Sequence, residues 1–297
     1  MGTIELAGAD GLTLTADVEG DPGSPPVVLL HGGGQTRHAW GTTLRVLGER
    51  WRAHSVDLRG HGDSGWAPDG DYTIDAFAAD VVAICRGLPS PPALVGASLG
   101  GLASLVAIAE TPGPPIATAL VLVDVAPRLE PSGIKRIGEF MTGNLDGFGS
   151  LEEVADAIAA YNPNRPRPSN LDGLRKNLRQ RADGRWVWHW DPRFVSGKFG
   201  SPDETRSSLT EHNRLQEAAQ RLTVPTLLVR GRMSDLISEE GAQELLRLVP
   251  HAELADVAGA GHMVAGDRND AFNESVVEFI GRVFPGEPAA MEDGEQP

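Results

Sequence analysis

The chain has 297 residues, 40% of them apolar and 23% charged, a composition that supports a sizeable hydrophobic core without staples. Its formal net charge of −15, from 26 basic and 41 acidic residues, opposes nucleic acid and anionic membranes as partners and says little about a neutral small-molecule substrate. The single cysteine, Cys85, cannot form an internal disulfide and points to a cytoplasmic location.

In chain order, "MGTIELAGADG" has neither a basic nor an apolar leader segment, so no signal peptide is expected there. No run of about 18 apolar residues exists to span a membrane. "TLTADVEG" alternates and predicts an antiparallel strand. "PPVVLLHGGG" is a continuous apolar run closed by glycines, as expected of a strand buried on both faces. The same design recurs in "RAHSVDLRGHG", "PALVGASLG", "TALVLVDVAP" and "VPTLLVRGRMSD". Helical patterns lie between these runs, from Trp40 to Arg50, Ile74 to Leu88, Leu99 to Glu110, Glu239 to Val249 and Asn273 to Val283. Strand–helix alternation of this kind predicts an α/β fold, a mostly parallel central sheet with helices on both faces.

Residues from about 128 to 220 break the rhythm with helical segments and Pro-rich joints. They read as a helical cap inserted between two sheet strands, leaving 1–127 and 221–284 as the core. Residues 285–297, "PGEPAAMEDGEQP", are rich in acids and proline and are expected to be disordered.

Open parallel sheets place their chemistry at the carboxyl ends of the strands. Those ends carry His31-Gly32-Gly33-Gly34, Ser98, Asp124, Asp235 and His262. Ser98 lies in a G-x-S-x-G between an apolar run and a run of small residues. A serine hydroxyl is a weak nucleophile until a base takes its proton, and His262 is the candidate base. An aspartate on the other ring nitrogen would fix the tautomer and stabilise the imidazolium. His31 is read as a structural residue that orients the glycine turn. His61, Asp57 and Asp63 have turn-forming reasons to exist, and His189 reads as a packing residue. No His/Cys/Asp/Glu cluster has metal-ligand spacing and no dinucleotide fingerprint is present, so neither a metal nor a cofactor is expected.

The landmarks "HGGG", "DLRGHGDSG", "GASLG", the "SD" after a later strand and "GAGH", in this order from about residue 27 to 284, resemble the α/β-hydrolase fold family. The resemblance implies a catalytic triad in the order Ser98, Asp235, His262. Asp235 sits in the turn that usually carries the acid and precedes His262 by one helix and one strand, while Asp124 is the alternative acid. It also implies an oxyanion hole from the backbone N–H groups of Gly33 and Leu99. Gly34, His38 and Trp40 beside that turn, with Phe140, Met141, Phe148 and Trp186 of the insertion, are the expected substrate-binding residues.

The family hosts many reactions. Relatives that act as haloalkane dehalogenases or epoxide hydrolases carry an aspartate where Ser98 stands. The leading expectation is a serine hydrolase that cleaves a carboxylic ester, lactone or thioester of a small-to-medium apolar substrate through an acyl-enzyme. The alternatives are a carbon–carbon hydrolase of aromatic ring-cleavage products and a serine perhydrolase. In the carbon–carbon hydrolases Asn and Met often flank the serine, where this chain has Ala97 and Leu99. A weakly catalytic, receptor-like binding protein is a more distant reading. Monomer and homodimer are both left open.

Overall fold

The computed structural model describes residues 1–163, 166–196, 212–262 and 269–285. Eight strands form the main sheet: β1 (Gly2–Ala7), β2 (Thr13–Glu19), β3 (Pro26–Leu30), β4 (Arg52–Val56), β5 (Ala93–Ala97), β6 (Ala119–Val123), β9 (Thr226–Gly231) and β10 (Glu253–Val257). They lie in the order β1-β2-β4-β3-β5-β6-β9-β10. The β1–β2 and β2–β4 pairs are antiparallel, and the pairs from β4 to β10 are parallel. A second sheet is a short antiparallel ribbon of β7 (Leu178–Gln180) and β8 (Trp186–Trp188).

The continuous apolar runs form central strands because both faces are covered, and alternate residues divide between two cores. Val28, Leu30, Leu94, Leu120, Leu122 and Leu228 face the layer that contains α2 (Ile74–Gly87), α3 (Leu99–Glu110) and α7 (Glu239–Leu248). Val27, Leu29, Val95, Val121, Val123 and Val229 face α1 (Gly41–Gly48) and α8 (Asn269–Val283), where Trp40, Leu47, Phe272 and Phe279 are buried. Each such aliphatic side chain is worth about 1.5–3 kcal/mol when fully buried. Helix starts follow local capping: Thr73 Oγ1 accepts from Ala76 N before α2, and Ser238 Oγ from Gly241 N before α7.

The segment after β6 carries α4 (Pro131–Thr142), α5 (Leu151–Tyr161) and the β7–β8 ribbon. Helix α5 and the ribbon pack around a small core of their own made by Phe148, Leu151, Val154 and Leu178, while Met141 of α4 joins the main core. The boundary at 221 needs correction. Helix α6 (His212–Gln220) buries Leu215, Ala218 and Ala219 in the same layer as α3, and Gln216 Nε2 donates to Glu244 Oε1 of α7 at 2.8 Å. The core therefore resumes by His212.

The predicted helix at 40–50 opens as a 3-10 turn over Arg37–Trp40 before α1 begins. Residues 286–297, expected to be disordered, lie outside the described residues, as does the stretch 197–211 of the insertion. Among the described residues, no helix is long and apolar enough to cross a membrane.

Candidate active site

The chain turns sharply between β5 and α3, and Ser98 stands at that turn with φ 46° and ψ −113°. A non-glycine residue at positive φ is strained by about 1–3 kcal/mol and is held only by its surroundings. Here α3 presses directly on the sheet. A Cβ on Gly96 would lie 2.5 Å from the carbonyl oxygen of Gly100, and one on Gly100 would lie 2.5 Å from that of Leu30. Glycine at both positions is thus what allows the close approach that lifts Ser98 above the sheet edge.

His262 follows β10. The end of β9 guides its loop: Met233 N donates to Ala260 O at 2.9 Å, and Gly231 packs so closely that a Cβ would meet Gly261 O at 2.3 Å. His262 Nδ1 lies 2.7 Å from Oδ2 of Asp124, a carboxylate with no solvent exposure. A carboxylate accepts, so Nδ1 carries the proton and Nε2 is the nitrogen left for a base. Asp124 is held by two further donors, the N–H of Gly231 on Oδ1 at 3.0 Å and the hydroxyl of Ser234 on Oδ2 at 2.5 Å.

The expected acid, Asp235, is corrected by this geometry. It is partly exposed and pairs with Arg136 of α4 at 2.8 Å. The reason lies in strand adjacency. β6 and β9 are neighbours with Val123 opposite Val229, so Asp124 emerges beside the end of β9, where its amide donates to Val229 O at 2.8 Å. Asp235 comes after the turn that follows β9 and reaches the insertion instead.

The glycine turn is fixed by two buried histidines. His31 Nδ1 donates to Gly32 O at 2.8 Å and its Nε2 accepts from Leu58 N at 3.0 Å. Complete burial lowers its pKa to about 4, against a weaker opposing pull from the Gly32 bond, so the ring stays neutral at ordinary pH. His61 Nδ1 donates to Arg59 O at 2.9 Å, and its Nε2 accepts the N–H of Gly34 at 3.1 Å. Gly32 N donates to Gln35 Oε1 at 3.0 Å. The N–H groups flanking Gly33 are thereby occupied, while among the described residues none accepts from Gly33 N or Leu99 N. Leu99 opens α3, where the helix dipole favours developing negative charge.

A cavity of about 430 Å³ joins these parts. Ser98, His262, Gly33 and Leu99 line it, and so do Gly34 and Trp40. Its roof comes from Ile134, Ile137, Phe140 and Met141 on one face of α4, with Ile158 of α5 and Trp188 of β8. Tyr161, Asn162 and Asn177 add polar groups. Tyr161 stacks on Phe140 with ring centroids 4.3 Å apart, and Arg136 sits 5.1 Å above its ring. Burial raises the Tyr161 phenol to about 12, partly opposed by Arg136, so it stays protonated.

Three expected substrate-binding residues are not brought to the cavity. His38 lies 3.6 Å from Asp17 beside the sheet. Phe148 and Trp186 form a bridge at the far side of the insertion, where Phe148 fills the small core and Arg175 covers the Trp186 ring at 4.7 Å. The lining residue Trp188 shares a strand face with Trp186 two positions on, a period-2 signal present in "WVW".

The model of the alpha/beta hydrolase family matches residues 27–275. The chain is 33% identical over 265 residues to esterase Rv0045c of Mycobacterium tuberculosis, covering 85% of this chain and 82% of that one. It is 28% identical to the 3-hydroxybutyrate-oligomer hydrolase of Cupriavidus necator, covering 88% and 91% of the two. A crystal structure of the Mycobacterium tuberculosis esterase superposes with a TM-score of 0.72 at 30% identity, covering 94% of this chain and 91% of that one. That of E-2-(acetamidomethylene)succinate hydrolase superposes with a TM-score of 0.79 at 24% identity over 94% and 99%, a likeness of fold.

Proposed function

This chain belongs to the alpha/beta hydrolase family, and from that premise we propose that it is a serine hydrolase cleaving carboxylic esters of small-to-medium, substantially apolar acyl groups. The observation that carries the reading is the hydrogen bond from His262 Nδ1 to buried Asp124 beside a cavity that also holds Ser98 on its strained turn. His262 Nε2 takes the proton of Ser98 as Oγ attacks the ester carbonyl. Asp124 holds the tautomer and stabilises the imidazolium. The N–H groups of Gly33 and Leu99 receive the oxyanion of the tetrahedral intermediate, each such donor being worth about 3–4 kcal/mol. His262 then protonates the leaving alcohol, and water repeats the sequence on the acyl-enzyme. One relative at 33% identity is named an esterase and one at 28% an oligomer hydrolase, which supports the reaction class.

The test is a panel of esters, lactones and a ring-cleavage dienone, with a fluorophosphonate as covalent probe. Ester turnover that stops on stoichiometric labelling of Ser98 is expected. Labelling elsewhere, or faster turnover of the dienone than of any ester, would overturn the reading.

The roof should set acyl preference, because α4 presents Ile137, Phe140 and Met141 to the cavity. Phe140→Ala or Met141→Ala is expected to change relative kcat/KM between short and long acyl esters by about tenfold, the scale of a methylene-sized change in a pocket. Phe148→Ala and Trp186→Ala should lower thermal stability and leave the preference order intact. A changed order in that second pair, with none in the first, would place the selecting surface elsewhere.

A further inference from the structure

Ser234 is a residue the triad chemistry does not call for, yet its hydroxyl bonds the carboxylate that His262 meets. Its Oγ is the acceptor for the backbone N–H groups of Leu236 at 3.1 Å and Ile237 at 3.4 Å. With both directions of approach to the oxygen taken by donors, the single hydroxyl proton is left to point at Asp124 Oδ2, 2.5 Å away. That oxygen is the one that accepts from His262 Nδ1. Oδ1 is already occupied by Gly231 N–H. The carboxylate therefore has a donor fixing each oxygen before the histidine is considered, and cannot rotate without losing one.

We propose that Ser234 is a positioning residue for the acid–histidine pair, holding the Asp124 carboxylate against His262 Nδ1 and taking up part of the charge on the shared oxygen. The inference rests on the reading of Ser98, His262 and Asp124 as the triad. Of the charged groups on the elements packed around it, Arg230 of β9 pairs with Asp256 of β10 at 2.9 Å, Arg232 with Asp256 at 3.9 Å and Asp235 with Arg136 of α4 at 2.8 Å, while Glu130 accepts from the hydroxyl of Ser238 at 2.5 Å. Removing an uncharged hydroxyl leaves those pairs as they are.

The sign follows from the shared oxygen. Without the Ser234 proton, Oδ2 carries more charge towards His262, which favours the imidazolium and raises the pH at which the base becomes available. The experiment is the pH profile of kcat/KM for a p-nitrophenyl ester in the full-length protein, its Ser234→Ala variant and its Ser234→Thr variant. In Ser234→Ala the acid limb should move up by about half a pH unit and kcat should fall about tenfold while KM stays within twofold. Ser234→Thr, which keeps the hydroxyl, should restore both. Should the alanine variant fail to fold, Ser234→Cys keeps the shape of the turn with a weaker donor and must move the limb in the same direction. An acid limb that stays in place or moves down overturns the assignment. The pH dependence of fluorophosphonate labelling separates the two levels of inference. Absence of labelling at Ser98 in the parent protein would refute the triad, whereas labelling with one pH dependence in parent and variant would refute only the role of Ser234.

Discussion

Asp124→Asn is expected to lower kcat on the best ester by about 10⁴, whereas Asp235→Asn should change it less than about tenfold. The first figure follows from the tautomer. An amide nitrogen at the Oδ2 position donates to Nδ1 of His262 and so places the ring proton on Nε2, the nitrogen that must accept from Ser98. Placing the amide oxygen there instead sets its nitrogen against the N–H of Gly231, which has donated to Oδ1. Either orientation leaves a buried group mismatched. Asp235 by contrast makes a partly exposed ion pair with Arg136, a contact worth about 0–1 kcal/mol. Its loss should appear, if anywhere, in acyl preference, through the Tyr161 ring that Arg136 covers. Steady-state kinetics of the two variants decide between the carboxylates, and the reverse order of effects would return the acid to position 235.

Arg37→Met is expected to destabilise the fold by about 3–5 kcal/mol. The Arg37 guanidinium is buried between Asp17, 3.0 Å from Nε, and Asp57, which has no exposure at all, and also reaches Asp63 at 2.8 Å. Methionine replaces the stem and leaves two buried carboxylates without their cation. Arg37→Lys should recover little, because one ammonium cannot serve three carboxylates in a fork geometry. Activity should fall with stability, since Asp57 and Asp63 belong to the loop that brings His61 to the N–H of Gly34. The effect depends on pH in a definite direction. Burial pushes the Asp63 carboxyl up, but the Arg37 hydrogen bond and charge together hold it below its ordinary value. Its contribution is therefore present above the ordinary carboxylate range and fades as pH falls through the lowered value. Urea denaturation at neutral and acid pH checks this: the gap between parent and variant should narrow on acidification, and a gap that widens would be evidence against the network.

The strand ends were legible in the sequence because their cause is local. Val27 to Leu30 and Ala119 to Val123 are continuous apolar runs, and a strand buried on both faces requires that pattern. Ser98 was legible for the same reason, since its glycine neighbours answer to steric contacts within a few residues or with the adjacent strand. The acid was not. Asp124 and Asp235 both follow apolar strands, and only the lateral neighbourhood of β6, β9 and the His262 loop separates them, a relation that one-dimensional spacing does not contain. The insertion shows the same limit. The face of α4 that carries Ile137 and Met141 is readable from helical spacing, but whether an aromatic such as Phe148 turns to the cavity or to the small core behind it depends on the fold of the β7–β8 ribbon. Ser234 gives no signal in sequence beyond standing next to a more conspicuous aspartate.

Ser98 and Asp124 rise from adjacent strands, with Ala97 paired to Val123 and Ser98 N donating to Val123 O at 3.2 Å. The proposed nucleophile and acid are thus spaced by one ladder of the central sheet, and no loop intervenes between them. The residues of the turn beyond β9 serve as a socket for the insertion: Leu236 O accepts from Glu130 N at 2.9 Å, and Gly133 of α4 packs against the Asp235 backbone. Under the proposed function, reactivity and selectivity reside in segments that can drift at different rates. A chain wired this way can exchange its roof for another, and with it the acyl group it accepts, while the distance between serine and acid stays that of two neighbouring strands.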